Sequence, residues 1–433
     1  MDKKEKIIRV AILSDEILGW GSGKHYFHVI LDNYSWESDD IIYRFKTISV
    51  SDDEIVQGKI CVDDFDTFLV PGGGVGDGHA LTKAVLLSKK TTIWKKTIAQ
   101  FVRDGGGYIG ICGGAALMTN LKTGTDGFPR TLLERLYAKS ALGVSAVHSY
   151  YNKLAAPLWY LFQYTHPDKI GAAGYVFSFS PGVTDAGLDL LSGGVPVDCT
   201  IERDNPIFSD FSHPTQRMRW WGGPAFIVPD DPDRLIRVLA RYPKLDFSSE
   251  EKTRIYAWRY VGGIVGLVKG FFKGLKYVKT KKEKISQAFV YAYYFAGDWK
   301  KSDIPIELDF SNRPCLTSEI YPNKNKARIV LCGTHPEYMI WWDGRIEEVD
   351  DDSFHCIATG FHQWKDISLK SSDGSKELTY TWWLVRRLVA WSAKVPDDHL
   401  PPIEDEYERT DQIKSLLNEV FWDGTLDQRM KYI

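Results

Sequence analysis

The sequence lacks any run of the roughly 20 apolar residues that a membrane-spanning helix needs. Its six cysteines, Cys61, Cys112, Cys199, Cys315, Cys332 and Cys356, form no C-x-x-C pair. Zinc ribbons and disulfide frameworks are therefore not expected. Neither sign dominates its charged residues: 54 Lys and Arg against 57 Asp and Glu leave a formal net charge of -3, which supplies no general attraction to nucleic acid, so no nucleic-acid partner is expected. The opening MDKKEKIIRVAIL has only a brief apolar run, interrupted by Arg9, so a secretory signal is not expected and the cytoplasm is the expected compartment. A phosphate loop is missing too. Gly23-Lys24 would need Gly at 18 and Ser or Thr at 25, where Leu18 and His25 stand. The histidines are scattered without the further ligands a metal site requires, so neither a metal nor any other cofactor is expected.

Glycine and aromatic residues, by contrast, are abundant. Aromatic residues make up 13% of the chain, enough to build cores and also to line a small-molecule cavity. The densest signal is Asp104 to Thr119, DGGGYIGICGGAALMT. An apolar strand from Tyr108 to Ile111 runs into Gly110-Ile111-Cys112-Gly113-Gly114 and then into the helix-forming run Ala115 to Met118. Small residues two before and two after Cys112 allow the tight strand-turn-helix that presents a nucleophile at the top of a sheet. The helix that follows aims its first N–H groups and its dipole at Cys112, which favours the thiolate and leaves donors for a developing oxyanion. Taken alone, G-x-C-x-G is more often a small buried cysteine in a glycine turn.

Its surroundings decide. Ile7 to Leu13 reads as a buried parallel strand followed by a polar loop and a helix over about Tyr26 to Asp32. A second strand lies within Ile41 to Val50. A third, Thr67 to Val70, ends in PGGGVGDG, where backbone N–H groups can approach a ligand closely. A helix over about Thr92 to Arg103 then leads to the cysteine turn. This α/β order, with right-handed crossovers, brings both glycine loops to one carboxyl edge of a sheet, where ligands bind. Much later, the buried-strand pattern Ala327 to Cys332 ends in Gly333-Thr334-His335-Pro336-Glu337-Tyr338. Amide chemistry needs a base and acid beside the thiolate, oriented by a carboxylate, and His335 and Glu337 supply both at that same edge.

Elsewhere the pattern is looser. Residues from Ser140 to about Ser212 read as inserted strands and loops beside the sheet, with an aromatic run at Ala156 to Tyr164 and a glycine patch at Gly171 to Gly174. Arg217 to Phe226 carries Trp220-Trp221 before a glycine turn, and Arg234 to Tyr242 reads as a helix or strand rejoining the core. Gln287 to Phe295 is β-prone. Tyr380 to Ser392 reads as a helix. The expected organisation is one α/β unit over 1–395, with insertions at about 140–212 and 250–305, and an acidic linker and helix over 396–433, the helix spanning about Glu404 to Val420.

VPGGGVGDG (Val70 to Gly78), GGYIGICGGA (Gly106 to Ala115) and RIVLCGTHPEY (Arg328 to Tyr338) resemble the class I glutamine amidotransferase superfamily. Within it the sequence is most similar to the domain at the N-terminus of eukaryotic biotin-protein ligases and in stand-alone microbial proteins, a likeness shared by WWGGPAF (Trp220 to Phe226) and VLARY (Val238 to Tyr242). The resemblance covers Ile7 to about Met118, about Arg217 to Tyr242 and Cys315 to Ser392. It implies a flavodoxin-like, mostly parallel sheet with helices on both faces, and a Cys-His-Glu triad of Cys112, His335 and Glu337. Gly113 stands where a related branch places a histidine directly after the nucleophile, which favours His335 as the base. Backbone N–H groups of Gly113 and of Gly73 or Gly74 are the expected oxyanion donors, and Trp220, Trp221 and Tyr338 the expected substrate-pocket aromatics. The implied function is a cysteine hydrolase or amidotransferase acting on the C–N bond of a small-molecule amide. No ATP loop of a biotin ligase is present, so ligation is not implied. No fused synthetase is expected, so an amidotransferase would need an ammonia-accepting partner protein. The competing class is a ligand-binding or scaffold module that keeps the fold without turnover.

Val261 to Lys284, VGGIVGLVKGFFKGLKYVKTKKEK, has a character of its own. Glycines recur every four residues, Lys269, Lys273 and Lys276 form one stripe, and Ile264, Leu267, Val268, Phe271, Leu275 and Val278 form another. Each glycine in a helix costs about 1 kcal/mol against alanine, so close packing or a membrane surface must offset it. Two readings stay open: a helix packed on its own domain, and a peripheral contact with a membrane or partner through 261–284.

Overall fold

The computed structural model describes residues 3–14, 22–32, 34–72, 89–120, 141–150, 175–178, 195–220, 223–231, 233–243, 253–260, 263–281, 285, 288, 299–301, 306–308, 310–322, 324–337 and 372–404. Strands β1 (Lys4–Leu13), β2 (Ser35–Ser38), β3 (Ile41–Val50), β4 (Thr67–Val70) and β5 (Gly107–Ile111) are interleaved with helices α1 (Ser22–Leu31), α2 (Asp52–Val56) and α3 (Lys89–Arg103). Helix α4 (Gly113–Met118) follows β5 directly. Then come β6 (His148–Tyr150), β7 (Tyr175–Ser178), β8 (Val195–Ile201), β9 (Thr215–Trp220), β10 (Ala225–Ile227), β11 (Leu235–Arg241) and β12 (Thr253–Tyr260). Helix α5 (Gly263–Lys281), strands β13 (Trp299–Lys301), β14 (Ile306–Leu308), β15 (Pro314–Ile320) and β16 (Arg328–Cys332), and helix α6 (Ser372–Ser392) complete the regular elements.

The protein is a mixed α/β structure built on a ten-stranded sheet of order β2-β3-β1-β4-β5-β16-β15-β11-β8-β9. Its centre, β3-β1-β4-β5-β16, is wholly parallel. Antiparallel strands extend it on both sides, β2 at one edge and β15, β11, β8 and β9 at the other. Two small sheets stand apart from this path, one pairing β6 with β10 and one pairing β12 with β7, β13 and β14.

Strand alternation explains why the central strands are apolar throughout. Successive side chains point to opposite faces, and here both faces are covered. Val10, Ile12, Leu69, Ile109, Ile111 and Val330 belong to one core, which takes in Phe27 and Ile30 of α1 and Trp382, Trp383 and Leu388 of α6. Their neighbours Ala11, Leu13, Phe68, Val70, Tyr108, Ile329 and Leu331 belong to the other, with Trp94, Ile98, Phe101 and Val102 of α3. Each fully buried aliphatic or aromatic side chain of this kind is worth about 1.5–3 kcal/mol. Helix α6 is also fastened by charge: Arg387 reaches both carboxylate oxygens of Asp210, at 2.6 and 2.5 Å, and donates to the Pro401 carbonyl at 2.7 Å.

Several expectations change at this level. Arg234 to Tyr242 resolves as the strand β11, and Val195–Ile201, expected beside the sheet, is hydrogen-bonded into it. Residues 396–401, expected to begin a linker, pack on the main unit instead. Leu400 is buried, and the His399 carbonyl accepts a hydrogen bond from the Trp36 indole at 2.8 Å. The aromatic run at 156–164, the glycine patch at 171–174 and, almost entirely, the segments expected as a strand at 287–295 and a helix at 404–420 lie outside the described residues. No helix among the described residues is long and apolar enough to cross a membrane.

Candidate active site

Because β4, β5 and β16 are parallel neighbours, their carboxyl ends release the chain at one edge of the sheet. Pro71-Gly72 follows β4, Cys112 follows β5, and Gly333 to Glu337 follows β16. Adjacency in the sheet thus delivers three distant stretches of sequence to one place.

Cys112 occupies the turn between β5 and α4 with φ 48° and ψ -107°, a conformation that L-residues adopt only when their surroundings impose it. The flanking glycines are what the turn requires. A Cβ added at Gly110 would lie 2.4 Å from the Gly114 carbonyl oxygen, and one at Gly114 would lie 2.2 Å from the Val70 carbonyl oxygen. The Tyr108 hydroxyl donates to that same Gly114 carbonyl at 2.7 Å, and the Cys112 N–H donates to the Cys332 carbonyl at 2.6 Å. Cys112 itself is 9% exposed, while the Gly113 that opens α4 is half-buried.

His335 and Glu337 are both buried, and the His335 Nδ1–H donates to Glu337 Oε1 at 2.8 Å. The imidazole also makes a hydrogen bond with Cys112. Burial alone would push the His335 pKa down; the Glu337 carboxylate, then a thiolate at Cys112 and its hydrogen bond, outweigh burial and raise the pKa to about 10. The ring is therefore an imidazolium at neutral pH, held between two groups that can be anionic. Three thiols elsewhere in the chain are raised. Burial pushes the Cys332 thiol up to about 12 and the Cys315 thiol well above its ordinary value, and a hydrogen bond to Asp64 raises Cys61.

No protein-family model matches the chain, and no curated protein sequence matches it. The geometry therefore carries the reading. Of the residues singled out in the sequence, Cys112, His335 and Glu337 stand together as a connected series, and Gly113 is the first residue of α4. Its N–H belongs to the first turn of that helix, where donors have no acceptor within the helix. Gly73, Gly74, Trp221 and Tyr338 lie outside the described residues. Trp220 is fully buried, with its indole Nε1–H donating to the Gly223 carbonyl at 3.0 Å and its ring edge-on to Phe310. It supports the Gly223 loop. Among the described residues, no group of three or more His, Cys, Asp or Glu residues is arranged to hold a metal ion.

Three glycines and a tyrosine that sequence reasoning did not single out complete the arrangement. A Cβ at Gly72 would lie 2.3 Å from His335 Cε1 and 3.0 Å from Cys112 Cβ, so that glycine backs directly onto both side chains. A Cβ at Gly223 would lie 3.3 Å from Cys112 Sγ and 1.9 Å from the Gly333 carbonyl oxygen. The buried Tyr242 hydroxyl lies 3.0 Å from the Pro224 carbonyl and 3.2 Å from the Gly333 carbonyl, and ties the two loops together as a donor. Gly72 and Gly223 sit inside PGGG and WWGGP, so the signal was present, but it did not say which glycine meets the thiol.

Proposed function

We propose that the protein is a cysteine-dependent hydrolase or amidotransferase-like enzyme that cleaves the C–N bond of a small-molecule amide. We also read its fold as flavodoxin-like. The five parallel strands, numbered in chain order, run 2-1-3-4-5, the order of that fold. The single observation that carries the functional reading is the buried hydrogen-bonded series Glu337–His335–Cys112, with Cys112 held in a strained turn at the start of a helix.

The thiolate of Cys112 attacks the amide carbonyl carbon, forming a C–S bond while the carbonyl electrons move onto oxygen. The N–H of Gly113, with Gly73 or Gly74 as the second donor, holds that oxyanion; one such donor is typically worth about 2.7–4 kcal/mol. As the C–N bond breaks, the His335 imidazolium gives its proton to the departing nitrogen. Acylation also consumes the thiolate, one of the groups that hold the His335 pKa near 10. The neutral imidazole then accepts a proton from water, which attacks the thioester and forms the C–O bond as the C–S bond breaks, so the sulfur leaves as the thiolate beside the regenerated imidazolium. Glu337 orients the ring throughout.

An electrophilic glutamine analogue such as 6-diazo-5-oxonorleucine tests the reading directly, with the adduct located by mass spectrometry and amine release followed across an amide library. Selective modification at Cys112, lost in Cys112→Ser and strongly slowed in His335→Ala, is the expected result. A Cys112 that reacts like an ordinary thiol, indifferent to His335→Ala, would instead leave a ligand-binding module of the same fold. For an amidotransferase, the ammonia released would pass to a partner protein.

A further inference from the structure

Helix α5 spans Gly263–Lys281 and carries five lysines and no carboxylate. Gly263, with φ 66°, turns the chain into it. The helix has a definite inside: Gly270 and Gly274 are buried, and Gly266, Leu267, Phe271 and Leu275 are half-buried on the same side. The glycines let that face approach its own protein closely, so the inner packing leaves the rest of the helix outside.

What is left outside is not an ordinary polar face. Ile264 is 80% exposed, Val265 69%, Phe272 65% and Val268 49%. At about 100° per residue, Val265, Val268 and Phe272 form one outward ridge, and the exposed Lys269, Lys273 and Lys276 run along its flank. Lys279, also exposed, continues the ridge toward the helix end. A charged stripe alone would be a solvated surface, and scattered apolar residues alone would need no explanation. An apolar ridge edged by cations along a helix lying on the surface matches one environment closely: the boundary between acyl chains and anionic headgroups.

We propose that α5 docks the protein peripherally on an anionic phospholipid bilayer, with Val265, Val268 and Phe272 entering the headgroup boundary and Lys269, Lys273, Lys276 and Lys279 facing the lipid phosphates. Charge complementarity favours this occupant over a second copy of the chain, because a two-fold contact would set like-charged lysine stripes against each other. The helix lies in the interface and does not cross it. The proposal does not depend on the chemistry at Cys112.

Sedimentation of the full-length protein with phosphatidylcholine vesicles, with and without phosphatidylserine, tests it. The native protein is expected in the pellet only with the anionic vesicles, and to be released as salt shortens the range of the attraction. The triple variant Lys269→Glu, Lys273→Glu, Lys276→Glu is expected to partition at least about 100-fold more weakly, since each lysine near such a surface contributes roughly a factor of five. Phe272→Ser is expected to weaken partitioning on anionic vesicles while leaving the thermal unfolding midpoint unchanged, because the side chain is exposed. The proposal is overturned if the native protein stays in the supernatant with anionic vesicles, or if it and the triple variant pellet equally. It is also overturned if the ridge proves to be a self-association surface, with a native dimer in analytical ultracentrifugation that Phe272→Ser dissociates.

Discussion

His335 Nδ1 is committed to Glu337 Oε1 at 2.8 Å, so the opposite ring nitrogen is the one that faces Cys112. The carboxylate therefore fixes the tautomer as well as the position of the ring. Replacing Glu337 by Gln keeps the shape but removes the fixed charge. Reaction of Cys112 with an electrophilic glutamine analogue is expected to slow by at least about 100-fold in Glu337→Gln, and by no more in the double variant Glu337→Gln, His335→Gln than in His335→Gln alone, because the groups act as a unit. Additive losses would show that Glu337 does not act through His335.

Stability should carry the signature of the same pair. The folded His335 pKa of about 10 lies above the ordinary value of 6.5, so the stabilisation from its proton is fully present below about pH 6.5 and is lost as pH rises through about 10. Urea unfolding of the native protein between those values should show a falling free energy, and the fall should be shallower in His335→Gln. Identical slopes would mean that the imidazolium is not stabilised by folding.

Gly72 offers a test that leaves the triad chemically intact. Its missing Cβ would fall 2.3 Å from His335 Cε1, so Gly72→Ala must displace the imidazole or the turn after β4. Alkylation of Cys112 by iodoacetamide at neutral pH should slow at least about ten-fold, as expected when a reacting group is misplaced by a fraction of an ångström to an ångström. The raised thiols of Cys61, Cys315 and Cys332 should contribute little to the signal, and mass spectrometry assigns the adduct to Cys112. An unchanged rate would mean that the site tolerates the extra methyl group and that the approach is not functional.

Tyr242→Phe removes the hydroxyl that joins the Pro224 and Gly333 carbonyls and adds nothing in its place. Leaving buried acceptors without their donor is expected to destabilise the fold by about 1–3 kcal/mol in urea unfolding. Cys112 reactivity should fall as well, since the Gly223 loop beside the thiol loses its tie to the strand end that carries His335. Destabilisation with unchanged Cys112 reactivity would make Tyr242 a purely structural residue.

Away from the site, the buried Glu319 carboxylate meets Arg234, the Ser145 hydroxyl and the Ala146 N–H. Arg234→Met keeps the volume and strips the cation, which is expected to cost about 3 kcal/mol because the carboxylate remains buried. The matched variant Arg234→Met, Glu319→Gln should recover part of that loss. Failure to recover would show that the arginine acts through its packing on Tyr321 rather than through its charge.

The parallel half of the sheet was legible because β4, β5 and β16 are short apolar runs that lead into glycine turns, and β1 carries the apolar run Ile7 to Leu13 broken only by Arg9, the pattern of strands buried on both faces. The cysteine turn and His335 were legible for the same reason: each follows such a run directly. The antiparallel half was not. β15 reads PCLTSEI and β8 reads VPVDCTI, mixtures of polar and apolar residues that acquire a place only through their neighbours. Contacts among Gly72, Gly223, Tyr242 and Gly333 arise where loops cross, and no local pattern records a crossing. In α5 the two stripes were visible but their sides were not. The structure divides the apolar stripe, turning Leu267, Phe271 and Leu275 inward and leaving Ile264 and Val268 outside.

The bond from the Cys112 N–H to the Cys332 carbonyl extends the β5–β16 ladder one residue past the end of the strand, and the Gly333 N–H continues it sideways to the Cys315 carbonyl. Thiol and imidazole consequently ride on one hydrogen-bonded raft. Thermal fluctuations of the sheet move them together, so their separation should vary less than the position of either. The amides of Cys112 and Gly333 should therefore exchange with solvent deuterium as slowly as the central strands, opening only when those strands do. A reactive centre of this kind would keep its alignment until the sheet itself unfolds.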